Sequence, residues 1–525
     1  MPLTRTFTQL YHELCRSQPL FTVSPRDVKI LKRPDEFYSQ LLTMIRGAER
    51  RIFLSSLYIG SSESELIDVL TDSLRKRHVL NLYLQLDLNR STRPGASSTA
   101  KILLPLLEEF PNRVHASFFR SPNLRGIMAK LVPPRFNEGW GTWHAKIYGA
   151  DDGVMISGAN LNKSYFTDRQ DRYLHFSNQP TLSQYCFDFM KTVSGFSYQL
   201  CPTDVKNSKS ELDLGPYSFT HKDGYTMFWP DFRTHPHKIH RKAEEALSAF
   251  QRTYCESTQD VTKSRQEDPE KMASELIEAE SSVALVPIIQ AGQFNIKEEE
   301  KTFECLFRHV NAYGMQPDTR EDDNNLQNRP LIDLTSGYFG LYERYQRLIL
   351  GSTNVDVRVI AASPKANGFY GSKGISGRIP DGYTLFEQRF MAAVKRAGRL
   401  WTTTTRKGVQ LQEWWKDGCT YHGKGLWLYP TRNSAPVLTL FGSTNLNSRS
   451  AHIDTELSFL MILPSDTQLS ERSTATSNSN SISRLSTDLA AEAANIRQDA
   501  GEWKGGERRI PLLTKLIVAL VGGML

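Results

Sequence analysis

The chain has 525 residues, with 64 Lys plus Arg against 57 Asp plus Glu, a net charge of +7. At about 150 residues per domain this length predicts three or four domains, or fewer if each is a large α/β unit. The charge excludes a histone-like polycation, 39% hydrophobic residues exclude a disordered chain, and six cysteines without a CxxC pair exclude a disulfide framework.

Residues 1–27 carry Arg5, Arg16 and several hydroxyl side chains but no long apolar core, features shared with organelle transit peptides. Residues 51–59 (RIFLSSLYI) predict a buried strand. Residues 63–77 predict an amphipathic helix with Leu66, Ile67, Leu70 and Leu74 on one face, and 79–88 a second strand. The order recurs as strand 283–291, helix 297–310 and strand 355–362, which predicts a duplicated α/β unit over 28–202 and 282–464. Between the units, 203–281 reads as an insertion that is charged and apolar-poor over 257–271. Residues 316–330 read as a loop, and 465–486, rich in Ser, Thr and Asn, as a disordered linker. The globular body is expected to end near residue 464. Residues 487–525 read as a helix followed by a short apolar tail, with Leu485, Leu489, Ala493 and Ile496 at helical spacing. No run of 18 apolar residues exists. The tail LIVALVGGML (516–525) is too short to span a bilayer, but behind Arg508, Arg509 and Lys515 it suits an anionic membrane surface.

The most specific signal lies inside the repeat. Residues 141–148 read GTWHAKIY and 418–429 read GCTYHGKGLWLY, so each copy has a His-x-Lys step, His144/Lys146 and His422/Lys424. An Asn pair follows in each: Asn160 and Asn162 in SGANLN, Asn445 and Asn447 after Ser443 in GSTNLN. An acid stands 11 residues past each first Asn, Asp171 and Glu456. Residues i and i+2 of a strand share a face, so each step presents an imidazole beside an ammonium. Imidazole serves as nucleophile or proton shuttle, lysine as a point charge for phosphate oxygens, and Asn as a further donor. Two such strands facing each other make a site for a phosphodiester. One His attacks phosphorus; the other protonates the leaving group, then deprotonates the acceptor. The lysines supply the positive charge, so no metal or other cofactor is called for, and neither His has a ligand partner at zinc spacing.

The run His144-x-Lys146, four residues, Asp151, then Gly158, Asn160 and Asn162 resembles the HKD signature of the phospholipase D superfamily. Within the superfamily, HAKIYGADDGVMISGANLNKSYFTDRQDRY (144–173), LSSLYIG (54–60), LTSGYFGLYERY (334–345) and SPKANGFYGSKGISGRIPDGY (363–383) resemble the eukaryotic mitochondrial phosphatidylglycerophosphate synthases. The resemblance covers most of 28–464. It implies two α/β lobes, each a mixed sheet flanked by helices, related by a pseudo-twofold with the active site between them. It further implies transfer of a phosphatidyl group from CDP-diacylglycerol to glycerol-3-phosphate on the way to cardiolipin. A peripheral location on the matrix face of the mitochondrial inner membrane goes with it. Catalytic residues would be His144, Lys146, Asp151, His422 and Lys424, with Asp171 orienting His422 and Glu456 orienting His144. Attack is assigned to His144, whose half keeps the full signature; the second copy has Tyr429 where the acid belongs. In the superfamily that acid is often structural, so Tyr429 is compatible with activity.

Lys365, Lys373 and Arg378 in a Gly-rich segment, and Arg90 after the first-half strand, are candidate phosphate ligands. Other phospholipase D-like reactions fit the same constellation: cardiolipin or phosphatidylserine synthesis, lipid hydrolysis, or nucleic-acid cleavage. The modest charge and lack of a basic stripe argue against a nucleic-acid partner. An inactive membrane-surface scaffold is the alternative outside catalysis.

Overall fold

The computed structural model describes residues 9–11, 13–14, 16–94, 98–203, 215–264, 282–314, 326–463 and 477–524. Apolar runs such as RIFLS (51–55) and LIDLTS (331–336) are buried on both faces, as central strands of a helix-flanked sheet must be. They sit at the heart of two ten-stranded mixed sheets. In the first, Arg51–Ser55 pairs parallel with Asn81–Asp87 and antiparallel with Ile147–Ala150. The helix Ser64–Lys76 makes the crossover and buries Leu66, Val69, Leu70 and Leu74. In the second, Leu331–Ser336 pairs parallel with Asp356–Ala362 and antiparallel with Lys424–Tyr429, and Glu343–Gly351 is the crossover helix. The two lobes repeat one topology.

This corrects the repeat alignment expected from sequence by one strand. Val283–Ala291 is not the counterpart of 51–55. It pairs antiparallel with the acid-bearing strand Glu456–Ile462, as Val28–Leu31 pairs with Tyr173–Phe176. Burial on both faces makes any central strand read as apolar, so composition alone could not tell these two apart. The parallel crossover identifies Leu331–Ser336 as the true match.

Three expected boundaries also shift. Phe21–Val23 pairs with Val283–Leu285, so the N-terminal segment forms an edge of the second sheet although it precedes the first lobe. Phe219–His221 and Tyr225–Phe228 extend the first sheet, so part of 203–281 is lobe rather than insertion. The body does not end near 464. Helix Ser477–Arg497 buries Ile482, Leu485, Leu489, Ala493 and Ile496, and Ala500–Glu502 adds a strand beside Val409–Trp414. The expected linker is therefore helical from 477; its residues 465–476, like 265–271 and 316–325, lie outside the described residues.

The lobes meet through apolar and charged contacts. Phe176 stacks on Phe441 at 6.0 Å. Arg172, fully buried, reaches from the first lobe to Leu440 O at 2.6 Å and Thr439 Oγ1 at 2.8 Å. It is clamped by both Glu492 oxygens at 2.9 Å and stacks 3.9 Å over Trp427. One side chain thus ties the first lobe, the second lobe and the C-terminal helix. Removing one partner of a buried pair strands the other's charge, at about 3–5 kcal/mol. Arg172→Ala is expected to lower the unfolding free energy by about that amount in urea denaturation followed by tryptophan fluorescence. A change within the scatter of ordinary surface substitutions would show that the clamp holds nothing together.

Candidate active site

The two His-x-Lys steps approach each other because each lobe lends the other a short parallel ladder. His144 N donates to Thr455 O at 2.9 Å and Thr455 N to Thr142 O at 2.9 Å. On the other side Thr420–Tyr421 pairs with Arg169–Gln170, and His422 N donates to Gln170 O at 2.8 Å. These rungs set the acid one residue past each ladder against the opposite lobe's imidazole. His144 Nδ1 lies 2.9 Å from both Glu456 oxygens, and His422 Nδ1 2.6 Å from Asp171 Oδ2. With Nδ1 engaged, Nε2 of each ring is the atom left for chemistry.

The lysines close the cluster. Lys146 Nζ donates to His144 O at 2.6 Å, and Lys424 Nζ to Asp171 Oδ2 at 3.3 Å. Gly158 explains the small residue of SGAN: a Cβ there would stand 2.5 Å from Asp171 Oδ1 and 2.6 Å from Lys424 Nζ. His144 is 8% exposed and His422 2%, so His144 is the more accessible imidazole. Ser443 exchanges hydrogen bonds with Leu457 N and O at 3.1 and 3.2 Å, fixing the strand that carries Glu456.

Burial dominates the electrostatics. It lowers the pKa of His144 against the pull of Glu456, and, with Lys424 adding repulsion, lowers that of His422 further, so both rings are neutral near pH 7. Burial alone would raise Glu456, but His144 and Lys146 outweigh it and hold this carboxyl below its ordinary range. Asp171 goes the other way, raised by burial against Lys424. Burial brings the Lys146 ammonium down to about 7 and lowers Lys424 as well.

Several expected ligands have other roles. Asp151 is not at the site. The strand Ile147–Ala150 carries it away from Lys146, and its carboxylate accepts backbone N–H bonds from Glu49, Arg50 and Arg51 at 2.7–2.9 Å. Its counterpart Tyr429 accepts from Arg497 at 3.0 Å, another contact away from the His–Lys cluster. Asn162 and Asn447 cap the helices Lys163–Thr167 and Ser448–His452 through Ser164 N and Ser450 N. Asn160 Oδ1 accepts from Leu57 N at 3.2 Å while its amide donates to Tyr165 OH at 3.0 Å, so it braces the wall. Asn445 alone of the four keeps a buried Oδ1 without a hydrogen-bond partner among the described residues. Lys365 and Lys373 are exposed and Arg378 half-buried. Their segment reaches the site instead through Gly368, Phe369 and Tyr383, which pack around Tyr338. Arg90 lies 4.1 Å over Tyr58 and 3.8 Å from Glu138.

Sequence reasoning missed the aromatic walls and two charged positions. Tyr165 and Tyr338 meet His422 edge-on at 5.2 and 5.1 Å. Arg169 stands two residues before Asp171, and Asp454 two before Glu456, each on its ladder. The same-face spacing that revealed His-x-Lys, applied to the acids, finds both. Asp454 accepts from Thr142 N at 2.8 Å and from Arg449 at 2.8 Å.

The titrations set a pH profile. A nucleophilic His144 must be neutral, so the acid limb of kcat/KM lies below the ordinary imidazole value. With burial bringing Lys146 down to about 7, a role for its charge on a phosphate predicts that kcat/KM falls as pH rises through that value. Lys146→Arg, whose guanidinium does not titrate in this range, is expected to remove the alkaline limb; an unchanged limb would assign it to another group.

No family model matches the chain. Curated relatives do. A Gallus gallus protein named CDP-diacylglycerol–glycerol-3-phosphate 3-phosphatidyltransferase, mitochondrial, is 36% identical over 446 residues, 83% of this chain and 75% of that one. A Schizosaccharomyces pombe protein named CDP-diacylglycerol–glycerol-3-phosphate 3-phosphatidyltransferase is 34% identical over 480 residues, 89% and 91% of the two chains. Among solved structures, the phosphatidylserine synthase of Haemophilus influenzae aligns over 99% of this chain and 98% of its own at a TM-score of 0.62 and 18% identity, which shows a shared fold. With a third of its residues identical over most of both lengths, the chain belongs to the family of CDP-diacylglycerol–glycerol-3-phosphate 3-phosphatidyltransferases.

Proposed function

We propose that this protein transfers the phosphatidyl group of CDP-diacylglycerol to sn-glycerol-3-phosphate through a phosphatidyl-histidine on His144. The observation that carries the reading is the pair of His–carboxylate contacts crossing the lobe interface, two neutral imidazoles beside two lysines. His144 Nε2 attacks the lipid phosphorus. A P–N bond forms, the P–O bond to the nucleotide breaks, and its electron pair leaves with CMP. That oxygen belongs to a phosphate, which departs as an anion under the charge of Lys146 and Lys424. His422, held neutral, is better suited as the base of the second step than as an acid in the first. It takes the proton of the acceptor hydroxyl, whose oxygen attacks phosphorus and breaks the P–N bond. Phosphatidylglycerophosphate leaves and His144 returns.

With radiolabelled CDP-diacylglycerol, His144→Ala is expected to lose both CMP release and the labelled protein adduct. His422→Ala, lacking its base, is expected to turn over about 10²–10⁴-fold more slowly and to accumulate the adduct. An adduct that persists in His144→Ala and maps to His422 would reverse the roles.

The product would be the first committed intermediate towards cardiolipin. We place the enzyme peripherally on the matrix face of the mitochondrial inner membrane. Three observations support this. Relatives are named mitochondrial; no helix among the described residues is long and apolar enough to cross a membrane; and helix Leu512–Val521 leaves Leu512, Leu513, Leu516 and Leu520 exposed while Thr514 and Val518 are buried. Beside it lies a groove of about 770 Å³ between Met391, Leu400 and Trp503, rimmed by Lys395, Arg509 and Lys515. An apolar helix face edged by cations suits an anionic bilayer surface. Since a buried leucine is worth about 1.5–3 kcal/mol, replacing the four exposed leucines with serine is expected to weaken binding to anionic liposomes by about 100-fold or more. The folded body should survive, because none of the four is buried. Unaltered liposome binding would move the lipid-facing surface elsewhere.

A further inference from the structure

Arg169 holds an unusual position. Its Nε donates to Thr420 Oγ1 at 3.0 Å, and its guanidinium stacks 4.6 Å over the Tyr165 ring. That ring also meets His422, at 5.2 Å, so a single aromatic side chain touches both groups. On the other side Gly368 comes so close that a Cβ would lie 2.9 Å from Arg169 Nη2 and 2.9 Å from Tyr338 OH. Tyr338 itself packs on His422 at 5.1 Å. The guanidinium is thus fixed beside His422.

Its charge is not answered there. Arg449 has Asp454 at 2.8 Å, and Arg90 and Arg93 share Glu138. Arg169 makes no salt bridge among the described residues; its hydrogen-bond acceptor is a hydroxyl. A guanidinium enclosed by aromatic rings without a carboxylate is a costly arrangement unless an anion completes it, and its planar fork matches a phosphate. The pseudo-symmetric position in the second lobe holds Asp454, a carboxylate already paired with Arg449, so that rung offers an anion no cation of its own. The preference therefore belongs to one end of the site only.

We propose that Arg169 binds the phosphate of the acceptor, sn-glycerol-3-phosphate, while His422 engages the acceptor's hydroxyl. The inference rests on the function proposed above and adds where the acceptor sits. Phosphate and hydroxyl of the acceptor are separated by three carbons, and Arg169 and His422 by the one ring of Tyr165. The departing CMP also carries a phosphomonoester, so the two ligands need to be told apart.

Two measurements on folded full-length protein test the assignment. In the first, glycerol-3-phosphate is titrated calorimetrically into wild type, Arg169→Lys and Arg169→Gln. Loss of a charge-assisted contact predicts binding about 10- to 100-fold weaker in Arg169→Gln, partly restored in Arg169→Lys. Equal binding by wild type and Arg169→Gln overturns the proposal. In the second, the ratio of kcat/KM for glycerol-3-phosphate to that for glycerol, which lacks the phosphate, is compared between wild type and Arg169→Gln. The ratio is expected to fall by a similar factor, and a general loss of structure would not move it. An unchanged ratio with weakened CMP inhibition gives Arg169 to the nucleotide and overturns the acceptor assignment. Binding through Arg169 without any transfer by the wild type supports the subsite and overturns only the proposed function.

Discussion

The structure depends on an exchange of carboxylates between lobes. Each lobe buries a histidine and a lysine, and each supplies the acid that the other lobe's histidine needs. Taking these charges out of water is expensive, and it is offset only when the partner is in place and hydrogen-bonded. Neither lobe has that partner within itself. The two short ladders, Thr142 to His144 against Thr455 and Thr420 to His422 against Asp168 and Gln170, bring it across. The site therefore exists only where the lobes meet, and chemistry and association of the lobes draw on the same contacts.

The chain is laced to hold that interface. The strand Phe21–Val23 leaves the N-terminus to join the second sheet before the first lobe begins. The helix Ser477–Arg497 returns after the second lobe and clamps Arg172 of the first through Glu492. Both connections shorten the distance over which the lobes can part. The transfer proposed above uses one imidazole as nucleophile and the other as base, and a shift of about 1 Å in such a pair can cost 10²-fold in rate. The lacing is the mechanical counterpart of that requirement.

Duplication supplied a symmetric frame, and side-chain differences on it divide the labour. Glu456 is held ionised beside the more accessible His144, while burial raises Asp171 beside the enclosed His422. Arg169 and Asp454 occupy matching rungs with opposite charge. Asp151 and Tyr429 occupy matching strand ends, one tying backbone amides and the other an arginine. Only in the last pair do both residues lie away from the His–Lys cluster.

Local patterns were legible in the chain itself: the His-x-Lys steps, the matched Asn pairs, the acids 11 residues on, and the apolar runs of the central strands. Each is a short-range regularity enforced by strand and turn geometry. Which strands are equivalent was not legible, since 283–291 and 331–336 are both apolar and only the parallel crossover separates them. The Asn pairs show the same limit: one member caps a helix or braces a tyrosine, and spacing cannot tell a cap from a ligand. The Ser-rich composition of 465–486 hid a helix whose apolar face has meaning only against both lobes. Arg169 is invisible as a site residue until Thr420, Tyr165 and Gly368 converge on it from separate parts of the chain. The sequence by itself determined the reactive groups and their spacing along each strand, because those follow from covalent order. Tertiary structure alone decided which acid meets which histidine and which arginine is left without a carboxylate, because burial and pairing of charge are properties of the assembled interface.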